Sequence, residues 1–324
     1  MKQLPRVVAV LATAFIFAVV LVPNANAVFI LEDVPVADYV DLTNQFPQIS
    51  DPAGYVFQGL GTSSLRPCSG TLVASTLFLT AAHCVDGWQA QNLFVGFGEN
   101  FPPLTSPLSS NVAEITINPE YTAFPNAHDM AILRLTSPAR ETPAQILLAN
   151  PINRLFFFEG YGAQGTSGEL LSDGFTPMPG ANNGLMALNI LDEITTSGYF
   201  TGVFNTQGSG ALGLEGIGGP GDSGAGAFSP WTIDGLLDFY LIGVLEGGSG
   251  TQIPTYGNID FWSRVREPNN LAFLESFPQI EIVNVLLLEP NSLALIIIAI
   301  ASLIWERKRG RAKRKGDGAI KGSV

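Results

Sequence analysis

Gly219-Pro220-Gly221-Asp222-Ser223-Gly224, together with Thr80-Ala81-Ala82-His83-Cys84 far upstream, decides how this chain reads. Only 2 histidines are present, and His83 is one of them. With Asp129 between the two stretches, the sequence holds a hydroxyl, an imidazole and an orienting carboxylate, the set that makes a serine nucleophile. Each alone is a weak signal: a histidine among apolar neighbours is usually structural, and an aspartate often caps a turn. The other histidine, His128, reads as structural or solvent-facing.

Outward from these blocks the chain runs in short stretches rich in Val, Ile, Leu, Phe, Thr and Tyr, broken by Gly, Pro and Asn. Gly70 to Val73, Thr76 to Thr80, Leu93 to Phe97, Asp129 to Leu135 and Tyr240 to Leu245 are the clearest strands. None is long enough for a βαβ crossover helix, so an all-β class is expected. Pro102-Pro103, Pro107 and the prolines from Pro138 to Pro151 separate a first strand group from a second. Residues 28–54 show no long helical period and read as an approach segment that packs on the domain after it. Gly160 to Gly184 reads as exposed loops. One short helix is expected over Asn270 to Phe277, with Leu271, Leu274 and Phe277 on one face. Gly208-Ser209-Gly210-Ala211-Leu212-Gly213 matches G-x-G-x-x-G, but the Gly-rich continuation to Pro220 cannot supply the helix a dinucleotide cradle needs. It is assigned to a loop.

Both ends carry targeting signals. Lys2 and Arg6 precede an apolar run from Val7 to Val22, and Ala25-Asn26-Ala27 offers the small residues a signal peptidase reads, so the mature chain is expected to begin near Val28. Retention as an anchor is the alternative, but the run is short for a span. At the other end Leu293 to Trp305 is uncharged and is followed at once by Glu306-Arg307-Lys308-Arg309, Arg311, Lys313, Arg314 and Lys315, a cluster that would stay cytoplasmic. Glu289-Pro290-Asn291-Ser292, the apolar segment and the bases resemble the PEP-CTERM sorting tail of Gram-negative bacteria, with Leu288 in place of the usual leading proline. That resemblance implies an exosortase-type processing enzyme and transient membrane association, while a plain C-terminal anchor is the other reading.

Composition excludes some classes. The whole chain has a formal net charge of −12. From Val28 to Leu288 there are six arginines, no lysine and 25 Asp plus Glu, a balance of −19. Nucleic-acid binding needs a basic footprint, and none exists there. Cys68 and Cys84 are the 2 cysteines. In an oxidising compartment they are expected to pair, with two buried thiols as the alternative. Sulfur and imidazole ligands are too few for a persuasive metal site.

Cys68-Ser69-Gly70-Thr71-Leu72-Val73 through Thr80-Ala81-Ala82-His83-Cys84, then Asp129-Met130-Ala131-Ile132-Leu133, then Gly221-Asp222-Ser223-Gly224, resembles the chymotrypsin/trypsin-like serine proteases in sequence and in chain order. The resemblance covers about Tyr55 to Phe277. It implies two packed six-stranded antiparallel Greek-key barrels with a short C-terminal helix. The divisions would be 1–27 signal peptide, 28–54 approach segment, 55–145 first barrel, 146–279 second barrel and helix, and 280–324 tail. It implies a serine endopeptidase acting on polypeptide with no metal or organic cofactor: His83 as base, Asp129 as its orienter, Ser223 as nucleophile, and the Gly221 and Ser223 N–H groups as an oxyanion hole. Glycine at 221 suits a reversing loop. Cys68 and Cys84 match the disulfide that staples the histidine loop. Ile217, Glu246, Gly247 and Gly248 fall at the primary substrate pocket. Ile217 stands where trypsin-like members carry aspartate, which favours a small or apolar side chain at the cleavage site. Gly219 replaces a family cysteine, and no activation cleavage signature is evident, so Asp222 is expected to find a partner other than a new N-terminal amine, such as an arginine. The alternative class is a protease-like binding or matrix protein without turnover.

Overall fold

The first strand group closes on itself. In the computed structural model, which describes residues 28–58, 68–98, 109–123, 126–172, 184–250 and 253–284, six strands form a barrel. They are Ala53–Gln58, Cys68–Ala74, Leu77–Thr80, Leu93–Phe97, Ser109–Ile117 and Ala131–Leu135. All their ladders are antiparallel, and Ala53–Gln58 pairs with both Cys68–Ala74 and Leu93–Phe97 to complete the ring. Alternate side chains fill it: Val56, Leu72, Phe78, Val95, Phe97, Val112 and Leu133 form one buried cluster. Closure leaves no strand edge exposed to other chains.

The second group is a half-barrel, consistent with the two-barrel fold the resemblance implies. Its nine-stranded sheet runs from Leu185–Ile190 through Leu155–Gly160, Gly226–Ile233, Leu236–Gly248 and Ile259–Arg264 to Tyr199–Val203 and Glu193–Ile194, while Ile146–Leu147 pairs with Leu236–Gly248 off this path and Ile282–Val283 pairs with Ile146–Leu147. Among the described residues no ladder joins Leu185–Ile190 to Tyr199–Val203. The buried Asn189 spans the gap instead, its Nδ2 donating to Val203 O and Gly216 O at 3.1 Å each. An aromatic core of Phe156, Phe158, Phe200 and Trp262 packs beneath this sheet.

The approach segment departs from its sequence reading. Val28–Ile30 is a strand in a separate four-stranded sheet, between Gln164–Thr166, which it meets in parallel, and Gly216–Ile217. Val36–Gln45 is a helix. Both pack on the second half rather than on the barrel that follows in sequence: Tyr39 Oη donates to Glu215 O at 2.8 Å, and Met186 N donates to Thr43 Oγ1 at 3.1 Å. Residues 160–172 are strand-bearing rather than exposed loop, since they contribute Gln164–Thr166 and Glu169–Ser172, and Tyr161, Ala163 and Gln164 are buried; residues 173–183 lie outside the described residues. Gly208 to Gly213 is a short 3-10 turn and loop.

The expected C-terminal helix is Pro268–Glu275, which buries Asn270, Phe273 and Leu274. Glu267 caps it by accepting the Asn269 and Asn270 N–H groups. The helix is tied to the first barrel by polar bonds. Asn270 Nδ2 donates to Ala127 O at 2.7 Å and to Arg264 O at 2.8 Å, while its Oδ1 accepts from Asn118 Nδ2 at 2.9 Å. His128 Nδ1 lies 3.0 Å from Glu267 Oε2, so this histidine braces the same junction. No helix among the described residues is long and apolar enough to cross a membrane. The leader at 1–27, Pro102-Pro103 and Pro107, and the PEP-CTERM-like tail lie outside the described residues.

Candidate active site

Asp129 lies two residues before the strand Ala131–Leu135, and its side chain is 0% exposed. It meets His83 twice. Oδ1 accepts the His83 backbone N–H at 2.9 Å, and Oδ2 lies 2.5 Å from Nδ1. A carboxylate can only accept, so Nδ1 carries the proton and Nε2 presents a lone pair. Burial lowers the His83 pKa, but the Asp129 hydrogen bond and charge, with a further contribution from Glu246, outweigh it and hold the pKa above its usual value. The His83 side chain is 31% exposed.

The Cys68–Cys84 disulfide fixes the short 3-10 turn Ala82–Cys84 to the strand that begins at Cys68. Closing a loop of this size contributes about 3 kcal/mol. Cys84 Sγ lies 3.7 Å from His83 Nε2 and 3.8 Å from Ser223 O, so one sulfur marks the junction of imidazole and serine loop.

Ser223 belongs to a tight turn held from both halves. Ser69 N donates to Ser223 O at 2.8 Å, Ser69 Oγ donates to Gly221 O at 3.1 Å, and Gly224 N donates to Leu245 O at 2.7 Å. Gly221 adopts φ 97° and Gly224 φ 91°. A Cβ on Gly224 would stand 2.2 Å from Ser69 O, so this turn accepts no side chain there. The Ser223 hydroxyl donates to Glu246 O at 3.4 Å, a long contact that a rotation of χ1 would exchange for another acceptor. Among the described residues the N–H groups of Gly221 and Ser223 have no backbone acceptor.

Asp222 is fully buried beneath this turn. Its Oδ1 accepts Gly162 N and its Oδ2 accepts Gly219 N, each at 2.8 Å, and the Val28 N–H is a third donor. Among the described residues no arginine pairs with it. Burial raises its pKa to about 7 against the pull of these three N–H groups. Val28 is itself 0% exposed and stands at φ 76°, a left-handed conformation unusual for a β-branched residue.

Next to the serine lies a cavity of about 170 Å³ lined by Ile217, Gly247 and Gly248 among others. Glu246 does not line it. The ladder between Leu236–Gly248 and Ile259–Arg264 shifts register between Leu245 and Gly247, so Glu246 is the extra residue of a bulge. Its side chain turns toward the aspartate loop, where Oε1 accepts Asn126 N at 2.8 Å and Tyr199 Oη at 3.3 Å. Oε2 is buried without a partner. Burial, ahead of the other influences, pushes the Glu246 carboxyl up to about 7. Sequence reading had no signal for Val28, Ser69 or Tyr199 at this site, because strand pairing and turn geometry bring them there.

A closed β-barrel and a β half-barrel meeting at a buried aspartate, an imidazole and a serine on a glycine turn define a two-lobed hydrolase-type fold of the chymotrypsin class. The chain belongs to the trypsin family, whose model matches residues 55–270. Trypsin Tyr p 3.0101 of Tyrophagus putrescentiae is 26% identical over 207 residues, 59% of this chain and 66% of that protein. Serine protease Hayan of Drosophila melanogaster is 31% identical over 131 residues, 37% of this chain. A trypsin of Saccharopolyspora erythraea is 31% identical over 83 residues, 26% of this chain. The matched part spans 20% of Hayan's length and 37% of the Saccharopolyspora trypsin.

Proposed function

We propose that this chain is an exported serine endopeptidase that cleaves polypeptides through an acyl-enzyme on Ser223. The observation that carries the reading is the double hold of Asp129 on His83, which leaves Nε2 as the basic nitrogen of the ring, on the side of the serine loop marked by Cys84. His83 takes the Ser223 proton as Oγ attacks the scissile carbonyl, then returns it to the departing amine. Asp129 stabilises the imidazolium that forms between these steps. Charge developing on the carbonyl oxygen is met by the Gly221 and Ser223 N–H groups, each such donor being worth about 3 kcal/mol in the transition state. Water then releases the acyl group by the same route.

Export supplies the last part. Removal of the leader after Ala27 turns the buried Val28 N–H at Asp222 into an ammonium, and a buried carboxylate gains the charge partner it otherwise lacks. The C-terminal signal then directs exosortase-type processing at the envelope, with only transient membrane contact.

A fluorophosphonate probe tests the hydrolase. Labelling of the processed chain that disappears in Ser223→Ala and persists in Ser75→Ala is the expected result. A processed, folded chain that takes no label would point instead to a protease-like binding protein.

A further inference from the structure

A second cavity, of about 250 Å³, lies where the helix Val36–Gln45 meets both halves of the molecule. Val40 of that helix, Phe97 of the first barrel and Glu159 of the second half share its lining with Asp51 and Glu141. None of His83, Asp129 and Ser223 lines it. Glu159 is 3% exposed. Its Oε1 accepts from Tyr161 Oη at 3.2 Å, and its Oε2 is buried with no partner among the described residues. Asp51 and Glu141 are half-buried, and each has one oxygen on a backbone N–H, that of Thr142 and that of Arg140. Among the described residues no arginine, lysine or histidine forms an ion pair with any of the three.

We infer that this cavity binds a small alkylamine with two cationic ends, a diamine or polyamine, one ammonium against Glu159 and the other against Asp51 and Glu141. The inference does not depend on the hydrolase reading. A carboxyl shut off from water with one oxygen unbonded is costly to ionise alone, and an ammonium brings both the opposite charge and up to three donors. Gly184 leaves the carboxyl its place at the wall: a Cβ there would stand 2.0 Å from Glu159 Oε1 and displace it. Val40, Pro47 and Phe97 give a methylene stem apolar surface to lie on. A single metal ion fits less well, because the oxygens of Asp51, Glu141 and Glu159 do not gather within 4.8 Å of one another. An alkyl chain spans what one ion cannot. Burial raises the Glu159 carboxyl to about 8, and Tyr161, which faces it, stays neutral far above that. At pH 9 the carboxyl is therefore charged, and so is an alkylammonium, which holds its proton to about 10.4.

The test is calorimetric titration of the processed chain at pH 9 with 1,4-diaminobutane, butylamine and calcium chloride as probes. One 1,4-diaminobutane should bind per chain, at least fivefold more tightly than butylamine, and should raise the thermal midpoint, as a ligand of the native state does. Glu159→Gln should weaken diamine binding at least tenfold. If that variant does not fold, Glu141→Gln, at a half-buried position, should bring the two amines within twofold of each other. Butylamine equal to the diamine in the wild type overturns the inference. So does unchanged diamine affinity in a folded Glu159→Gln chain, or the absence of binding at millimolar diamine. Calcium that binds more tightly than the diamine and is lost in Glu159→Gln would make this a metal site and overturn it as well.

Discussion

Asp129 grips His83 by backbone and ring together, one oxygen on the amide N–H at 2.9 Å and the other on Nδ1 at 2.5 Å. This double contact means that the carboxylate fixes the ring's position as well as its tautomer. Replacing it by an amide sets the two jobs against each other. In Asp129→Asn the single amide oxygen is needed by the His83 N–H, which leaves an NH₂ facing Nδ1. Nδ1 must then accept, and the proton moves to Nε2, where the serine requires a base. Turnover should fall by about 10⁴, the loss typical of a triad whose carboxylate becomes an amide. Steady-state kinetics on a peptide amide measure it, and thermal unfolding checks that the fold is retained.

Glu246 adds a second carboxyl to the same neighbourhood, and its titration near pH 7 coincides with the working range of an imidazole base. As pH rises through that value its negative charge appears and favours the protonated imidazole, one of the influences that raise the His83 pKa. Glu246→Gln removes the charge while keeping an acceptor for Asn126 and Tyr199. The acid limb of the kcat/KM profile should therefore move to lower pH in the variant. A limb that stays in place, or moves upward, contradicts the coupling.

In the proposed maturation, Val28 links activity to processing. Its φ of 76° exists only while a peptide bond precedes it, and such a conformation in a β-branched residue costs roughly 1–3 kcal/mol. Cutting that bond removes the torsion and supplies an ammonium to Asp222. N-terminal sequencing of active material should begin at Val28. A chain blocked in leader removal by Ala27→Leu should label at Ser223 at least tenfold more slowly. Equal labelling with the leader attached would separate the Asp222 contact from activation.

Glu159 supplies a stability test through a carboxyl outside the triad. It is buried, its Oε1 accepts from Tyr161 Oη at 3.2 Å, and its Oε2 has no partner. Burial, only partly offset by the Tyr161 bond, raises its pKa from 4.5 to about 8. A carboxyl whose folded pKa is raised stabilises the protein fully below its unfolded value, and that contribution is lost as pH rises toward the folded value. Across that window the folded chain holds a proton that the unfolded chain has released, so each pH unit costs about 1.4 kcal/mol. Urea titrations from pH 5 to 8 should show this slope reduced in Glu159→Gln. Identical slopes would mean that the carboxyl is better solvated than its burial implies.

What the sequence disclosed divides along a physical line. The blocks around His83, Asp129 and Ser223 are legible because each is local: a few consecutive residues set the turn that carries the side chain. The strands of the first barrel are legible for the same reason, through their alternation. The helix Val36–Gln45 is not, since Pro35 offers no side-chain cap and only Tyr39 and Leu42 in it are buried. Gly160 to Gly184 misled because glycine suggests exposure, whereas Tyr161 N donates to Ser69 Oγ, Gly162 N to Asp222 and Ala163 N to Pro220 O. Those partners lie 92 and about 60 residues away in sequence. Val28 reaches the site only through strand pairing, which no short motif records.

Asn270 gives the far end of the chain a bearing on the aspartate loop. Through Ala127 O and Asn118 the helix Pro268–Glu275 works as a keystone set behind the turn that presents Asp129. Any maturation event that trims this polypeptide from its C-terminal side must therefore stop outside that wedge, because a cut reaching it would slacken the catalytic arch from behind while leaving every residue of the cleft in place.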